Sequence, residues 1–519
     1  MVNVRRDIET LTKLSGLWSP TIEWYAKAVK AMSARPVTDR TSWRYLAAVH
    51  GVVLAGAPAT WITKGVITAA EALPPKSEQL VMWDQCQHSS WYFLPWHRGY
   101  LAAFEAIVAK TIVDLGGPPD WALPYWNYFD SSNPGSRRFP QAFMEQTLAD
   151  GSTPNPLAAF VRNPAEQLAA MAAFGVPDIS LSAMGKSRFT ANPGANGFGG
   201  APSGFQQFAP QQDVGALESD PHNLVHVMVG GLGPASGFMT DPDFAALDPL
   251  FWLHHCNIDR LWAAWLTNGS NVQENGKAWL DGPSPRQFQM PAPDGTLHVF
   301  TPAQCLPGNS LAPQYDDLWN GTAAVPSPLL PPAAPAAGAG PGPMPAAVMS
   351  GHVHGGALMT ARMSGAPGPM PTLLASNDRS LKIGVTPVVT RLTLPPSAMS
   401  GVGPAARLRV RLEGISGSAP SGVISVGVGV PAAATQPAAA PRAAGSAILF
   451  GLAKASRQDG AHAGNGLTAS VDITDIVRQL TRDMQKAPTD LEIQLAQPTG
   501  ASYGDVDVAK VSIISHAGD

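Results

Sequence analysis

The histidines of this 519-residue chain fall in groups whose spacing could hold metal. In Asp248 to Trp262, DPLFWLHHCNIDRLW, Asp248 is suited to cap a helix and Pro249 to open it, so a helix is expected from here through Trp265. Phe251, His255, Ile258, Asp259 and Trp262 would then share one face, with an imidazole and a carboxylate one turn apart. Upstream, Asp220-Pro221-His222-Asn223-Leu224-Val225-His226 repeats the device: a capping Asp, a Pro that opens the helix, and histidines at i and i+4 aimed at one point. A zinc protease would place a glutamate after the first histidine as its base; Asn223 stands there and disfavours that chemistry.

A second set precedes it. His88 sits in a loop two residues after Cys86, and His97 in the first turn of a helix that Pro95 favours starting just before it. His50 ends a helix of small and aromatic residues, where a lone histidine most often just packs and finds a hydrogen-bond partner.

The elements that must position these side chains are helical. Residues 1–35 carry helical patterns, IETLTKL and TIEWYAKAVKAM, and 42–50 continue them up to Gly51. The length predicts two domains, and the formal charge of −4 with 14% charged residues offers no basic footprint for nucleic acid. The first residues lack the apolar run of a signal peptide and nothing is long and apolar enough to span a membrane, so a cytoplasmic location is expected. Cys86, Cys256 and Cys305 are too few and too scattered for a disulfide framework.

The residues carry a resemblance at this point. His88 with Phe93, Trp96, His97, Arg98, Leu101 and Glu105 resembles the first copper signature of tyrosinases, catechol oxidases and molluscan haemocyanins, and Asp248, Pro249, Phe251, Trp252, His255 and Asp259 resemble the second. The likeness covers roughly residues 1–320. It implies a mainly α catalytic domain built round a helical bundle holding two coppers, each bound by three imidazoles. Only His50 precedes His88, so the first copper would have His50, His88 and His97, and the second His222, His226 and His255. The family pattern puts the ligand at His255, leaving His254 as a core or hydrogen-bonding neighbour, since adjacent helical residues point about 100° apart.

Further roles follow from the same likeness. Cys86 stands where relatives carry a thioether to the histidine ring, here His88, although a small buried hydrophobe would look the same. Asn223 and Glu218 match an asparagine and glutamate thought to hold a water that takes the phenol proton, with Asp213 a rival carboxylate. Phe251, Phe238 and Met239 are candidates to line the substrate space. Tyr315-Asp316-Asp317 resembles the tyrosine motif that closes this core by pairing with an N-terminal arginine, Arg5 or Arg6.

Residues 1–322 are thus expected to be the catalytic domain and 323–371 a Pro/Ala/Gly/Met-rich linker. The linker's Met344, Met349, His352, His354, Met359, Met363 and Met370 would suit Cu(I) loading, or are incidental. Residues 372–519 read as a β-sandwich with one helix in DITDIVRQLTRDM. Plant and fungal relatives carry a β-rich domain that covers the copper site and inserts one side chain as a placeholder. After Trp319 the aromatics are Phe450 and Tyr503; Phe450 reads as core, Tyr503 as the placeholder candidate.

The expected activity is oxidation of monophenols and o-diphenols to o-quinones with two copper ions and O2. The alternatives are a catechol oxidase without monophenolase activity and a haemocyanin-like oxygen carrier. Expected partners are O2 and a small phenol or catechol, with a homo-oligomer allowed.

Overall fold

The computed structural model describes residues 3–53, 59–163, 168, 177–190, 196–208, 214–233, 236–318, 362–363, 370–395, 406–431, 440–458, 464–498 and 504–517. The elements that position the site are six helices: α1 (Ile8–Ser15), α2 (Pro20–Ser33), α3 (Trp43–His50), α4 (Phe93–Asp114), α5 (Leu224–Gly230) and α6 (Pro249–Leu266). α4 and α6 are apolar nearly all round, the mark of helices buried in the middle of a domain. They meet through Phe104 and Trp252, stacked at 3.5 Å and 7°.

α6 begins as its sequence predicts. Asp248 accepts from the Leu250 N–H at 2.9 Å, and its carboxylate is gripped by Arg162 at 2.6 and 2.9 Å. α4 starts at Phe93, four residues before His97, because Pro95 in the first turn has no N–H that the helix would need. The Asp220 segment departs from expectation. Asp220 takes φ −145° and ψ 117° inside a wide turn, Glu218–Asn223, and its carboxylate accepts from Ser180 rather than capping its own helix. α5 therefore begins only at Leu224.

Two short strands, β1 (Val4–Arg5) and β2 (Gln314–Tyr315), pair in parallel with Arg5 opposite Tyr315, tying the beginning of the helical domain to its end. Arg5, not Arg6, faces inward. Its guanidinium reaches Glu105 at 2.8 Å, Asp259 at 3.1 Å and the Tyr315 hydroxyl at 3.0 Å, while Tyr315 donates to Asp259 at 2.6 Å.

The C-terminal part is a sandwich with its own apolar core. One sheet has the order β9 (Leu467–Asp472), β6 (Ala406–Gly417), β11 (Val506–Ala517), β3 (Thr372–Asn377), with β4 (Leu381–Ile383) also on β11. The other runs β8 (Arg442–Ile448), β7 (Val423–Gly429), β10 (Asp490–Ala496), β5 (Val388–Thr393), and all pairs are antiparallel. Alternation sets the inner face: in β10, Leu491, Ile493 and Leu495 are buried and their neighbours half-buried. Helices α7 (Leu452–Ser456) and α8 (Thr474–Met484) complete the domain, α8 within the stretch read as helical.

Candidate metal centre

α3 delivers His50 as its last residue, the loop behind it delivers His88, and the first turn of α4 delivers His97. The wide turn before α5 supplies His222, α5 supplies His226, and α6 supplies His254 and His255. All are buried. Ligand atoms of His50, Cys86, His88 and His97 lie within 4.8 Å of one another, as do those of His222, His226, His254 and His255. The two sets touch where His97 stacks on His255 at 4.4 Å and 15°.

The backbone selects which ring nitrogen is offered. Nδ1–H of His50 donates to the Pro242 carbonyl at 3.0 Å, that of His97 to Phe93 at 2.8 Å, and that of His226 to Met239 at 2.7 Å. His222 Nδ1–H donates to the Asn223 side-chain oxygen at 2.9 Å. With the proton on Nδ1, each Nε2 keeps a lone pair aimed inward. Gly51 permits the first of these bonds, since a Cβ there would lie 2.3 Å from the Pro242 oxygen.

Those lone pairs are what a metal would take. Nε2 of His50 and of His222 is buried without a partner. Nε2 of His226 faces Nε2 of His255 at 3.2 Å, close to the ~3.3 Å that separates two imidazole nitrogens each about 2 Å from one tetrahedral ion. Burial pushes His97 and His226 down to about 3 and the other four well below the ordinary histidine range, so the rings are neutral at any working pH. Two neutral imidazole triads in one buried space fit two copper ions.

His254 also reaches the second set, closer than adjacent helical positions suggest, because its ring stacks on His222 at 5.3 Å. Its Nδ1 is 3.2 Å from the Tyr128 hydroxyl. The Cys86 sulfur lies 3.5 Å from both ring nitrogens of His88, hence on the plane that bisects the ring through the carbon between them. Cys256 and Cys305 are buried thiols.

Glu218 is buried beside this space. One carboxylate oxygen accepts from the Ser89 N–H at 2.7 Å, the other has no partner, and burial pushes the group up to about 8. Asp213 and Tyr503 lie outside the described residues, as does most of the Met/His tract. Met370, at the tract's end, is exposed.

Phe251 packs against His255 at 4.1 Å and His50 at 4.9 Å. Phe238 does not join it: among the described residues its ring partners are Phe244, in the loop before α6, and Phe160. Met239 takes part through its backbone carbonyl, which orients His226.

Among the described residues of the other domain, the ring that faces the histidines is that of Phe450. Its ring stacks on His226 at 4.4 Å and 27°, and meets His88 at 5.4 Å and His222 at 5.7 Å edge-on. Sequence reasoning placed Phe450 in the sandwich core; instead β8 ends at Ile448 and the chain turns Phe450 outward. The signal was the following glycine: Gly451 has φ +78°, and a Cβ there would lie 2.0 Å from the ring of Phe208, which itself stacks on His88 at 4.9 Å. Behind Phe450, the Lys454 ammonium lies between the carboxylates of Asp84 and Asp243, and Arg457 reaches Asp243 at 2.8 Å.

Residues 40–268 match the family described as the common central domain of tyrosinase, and residues 370–516 match a domain of unknown function. The chain is 39% identical over 283 residues to the tyrosinase HcTyr1 of Hahella sp. (strain CCB-MM4), covering 53% of this chain and 57% of that protein. It is 30% identical over 286 residues to (+)-larreatricin hydroxylase of Larrea tridentata, covering 51% and 42%. The chain thus spans about half the length of these relatives. Latent apple tyrosinase has the same fold along the whole chain, with a TM-score of 0.56 at 19% identity, covering 100% of this chain and 98% of that one.

Proposed function

We propose that this chain, whose residues 40–268 are a tyrosinase-family central domain, oxidises monophenols and o-diphenols to o-quinones with O2 and is held latent by its C-terminal domain. The observation that carries the reading is the pair of buried imidazole sets, in contact through His97 and His255, with an aromatic ring seated against His88, His222 and His226. A copper pair bound there supplies O2 binding and two-electron oxidation.

The chain's own residues do the rest. His50, His88 and His97 would hold one ion and His222, His226 and His255 the other. The carbonyls of Pro242, Phe93 and Met239 fix three of those rings, and the Asn223 oxygen a fourth, so little rearrangement accompanies a change of copper charge. Phe251 packs beside both sets and keeps water from that side.

A phenolic proton has a pKa of about 10, so a monophenol needs help to lose it at neutral pH. The unpartnered oxygen of Glu218 is the acceptor for that proton, directly or through a water. Burial alone would keep Glu218 protonated near neutrality, and nearby copper cations would draw it back toward the carboxylate. With its oxygen committed to His222, Asn223 can offer only its amide N–H groups to such a water.

Phe450 occupies the place an incoming phenol ring would take. The test is oxygen uptake by the copper-loaded chain with 4-methylphenol and 4-methylcatechol, before and after displacement of the C-terminal domain. Uptake with both supports the reading, uptake with the catechol alone reduces it to catechol oxidase, and reversible O2 binding without turnover leaves an oxygen carrier.

A further inference from the structure

The segment that closes the site carries two chemical groups, not one. Phe450, just before α7, presents a ring to the histidines, and Lys454, on α7, presents an ammonium to acids of the catalytic domain. Lys454 is 1% exposed, which for a lysine demands full pairing, and it has that pairing from Asp84 and Asp243.

Both carboxylates belong to the helical domain and flank the first histidine set. Asp84 precedes the Cys86 and His88 loop, and its N–H donates to the Ala48 carbonyl within α3. Asp243 follows Pro242, whose carbonyl fixes His50. Asp241 adds a third acid, accepting from the Asp243 N–H at 2.9 Å. The ammonium is thus held by one acid next to the residue that fixes His50 and by another two positions before Cys86, which puts it on the side of the first histidine set.

A cation is therefore already seen seated on these acids: the chain's own. Remove the covering domain, and the helical domain keeps a ring slot against His226 and, at Asp84 and Asp243, two carboxylates from which the Lys454 ammonium has gone. Like charges left so close favour a replacement cation and disfavour an anion.

Resting on the phenol-oxidase reading above, we infer that Asp84 and Asp243 form a cation subsite of the substrate pocket, so that the preferred phenols carry a protonated amine on a short alkyl arm. The Phe450 to Lys454 segment is the internal copy of such a substrate, ring and ammonium together.

The experiment uses the full chain, copper-loaded, with Phe450→Ala and Lys454→Ala combined, which relieves Asp84 of Lys454 while Arg457 stays on Asp243, and three catechols differing in arm charge: dopamine, 4-methylcatechol and 3,4-dihydroxyphenylpropanoate. The expected kcat/KM order follows that sequence, with dopamine above the anion by roughly a hundredfold, as expected for gaining one charge pair and avoiding one repulsion. Adding Asp84→Asn collapses the dopamine advantage, and Phe450→Ala alone shows little of it because Lys454 still fills the seat. Equal kcat/KM for all three in the double variant overturns the subsite.

Calorimetric titration of the copper-free double variant with tyramine and with 4-methylphenol gives a readout that needs no turnover. Tyramine should bind at least about tenfold tighter. Should 4-methylcatechol not be oxidised at all, the oxidase reading falls and this titration judges the subsite alone: tyramine bound no tighter than 4-methylphenol removes it.

Discussion

The ring of Phe450 lies nearly parallel to that of His226, 4.4 Å away, although the two residues come from different domains and 224 positions apart in sequence. On the proposed reading, this contact keeps a phenol out of the resting site. Apparent activity is then the activity of the open form multiplied by its population. Phe450→Ala should raise the rate with 4-methylcatechol at least about tenfold without detergent or proteolysis. An unchanged rate would show that the ring does not limit access.

Part of the site could be read from the chain because His50, His97, His226 and His255 sit on helices, and helical spacing leaves a record. The Asp248 cap, the Pro249 start and the run through α6 follow local rules. His50 was assignable only once the resemblance demanded a third ligand. What stayed hidden depends on contacts between distant segments. Near Phe450 the glycine at 451 marks a turn but not which way the ring goes, and nothing there shows that Lys454 meets Asp84 and Asp243. Asp220 looked like a helix cap but is held by Ser180, a tertiary partner that local pattern cannot supply. Phe238 failed for a similar reason, being drawn to Phe244.

The latch behind Phe450 should respond to pH at both ends. Lys454 pairs with Asp243 and is raised above its ordinary 10.5, burial opposing and the two aspartates prevailing; its contribution is present below that value and lost as pH rises through the raised one. Asp243 is lowered from 3.8, burial again opposing and Lys454 and Arg457 prevailing; its contribution is present above 3.8 and lost as pH falls through the lowered value. Asp241, pushed up to about 6 by burial and by Asp243, works the other way, since its protonation below that point relieves repulsion. Latency should be deepest between about pH 4 and 6 and fail in stronger acid. Activity assayed at neutral pH straight after brief acid exposure checks this, and Lys454→Met, which leaves Arg457 alone on Asp243, should move the acid threshold upward.

Arg5 joins the first strand to both long helices through Glu105 and Asp259, and to the end of the domain through Tyr315. Its loss leaves two acids short of a partner, although Arg98 still serves Asp259 at 2.6 Å. Arg5→Ala should cost roughly 3 to 5 kcal/mol in a urea unfolding series. Arg6 is exposed, and Arg6→Ala should change the midpoint little.

Glu218 separates the two activities. A catechol ionises more readily and has a second oxygen, whereas a monophenol depends on an acceptor for its proton. Glu218→Gln keeps the shape and the bond from Ser89 but not the base. It should lower kcat/KM for 4-methylphenol by roughly a hundredfold and for 4-methylcatechol far less. Equal losses on both substrates would make Glu218 a folding residue only.

His254 and His255 both reach the second imidazole set, so geometry alone does not choose between them, but their other contacts differ. His255 stacks on His97 and faces the Nε2 of His226, placing it where the two imidazole sets meet, whereas His254 has Tyr128 behind it. His255→Ala should leave about one copper per chain. Its melting temperature should then lose part of the rise that saturating copper gives the unaltered chain, a stabilisation of about 4 kcal/mol for an ion at a thousand times its Kd. His254→Ala should keep two coppers and cost only about 1 kcal/mol, the scale of its hydrogen bond to Tyr128. Copper content measured beside the melting curve decides between them, and two coppers retained by His255→Ala would move the ligand to His254.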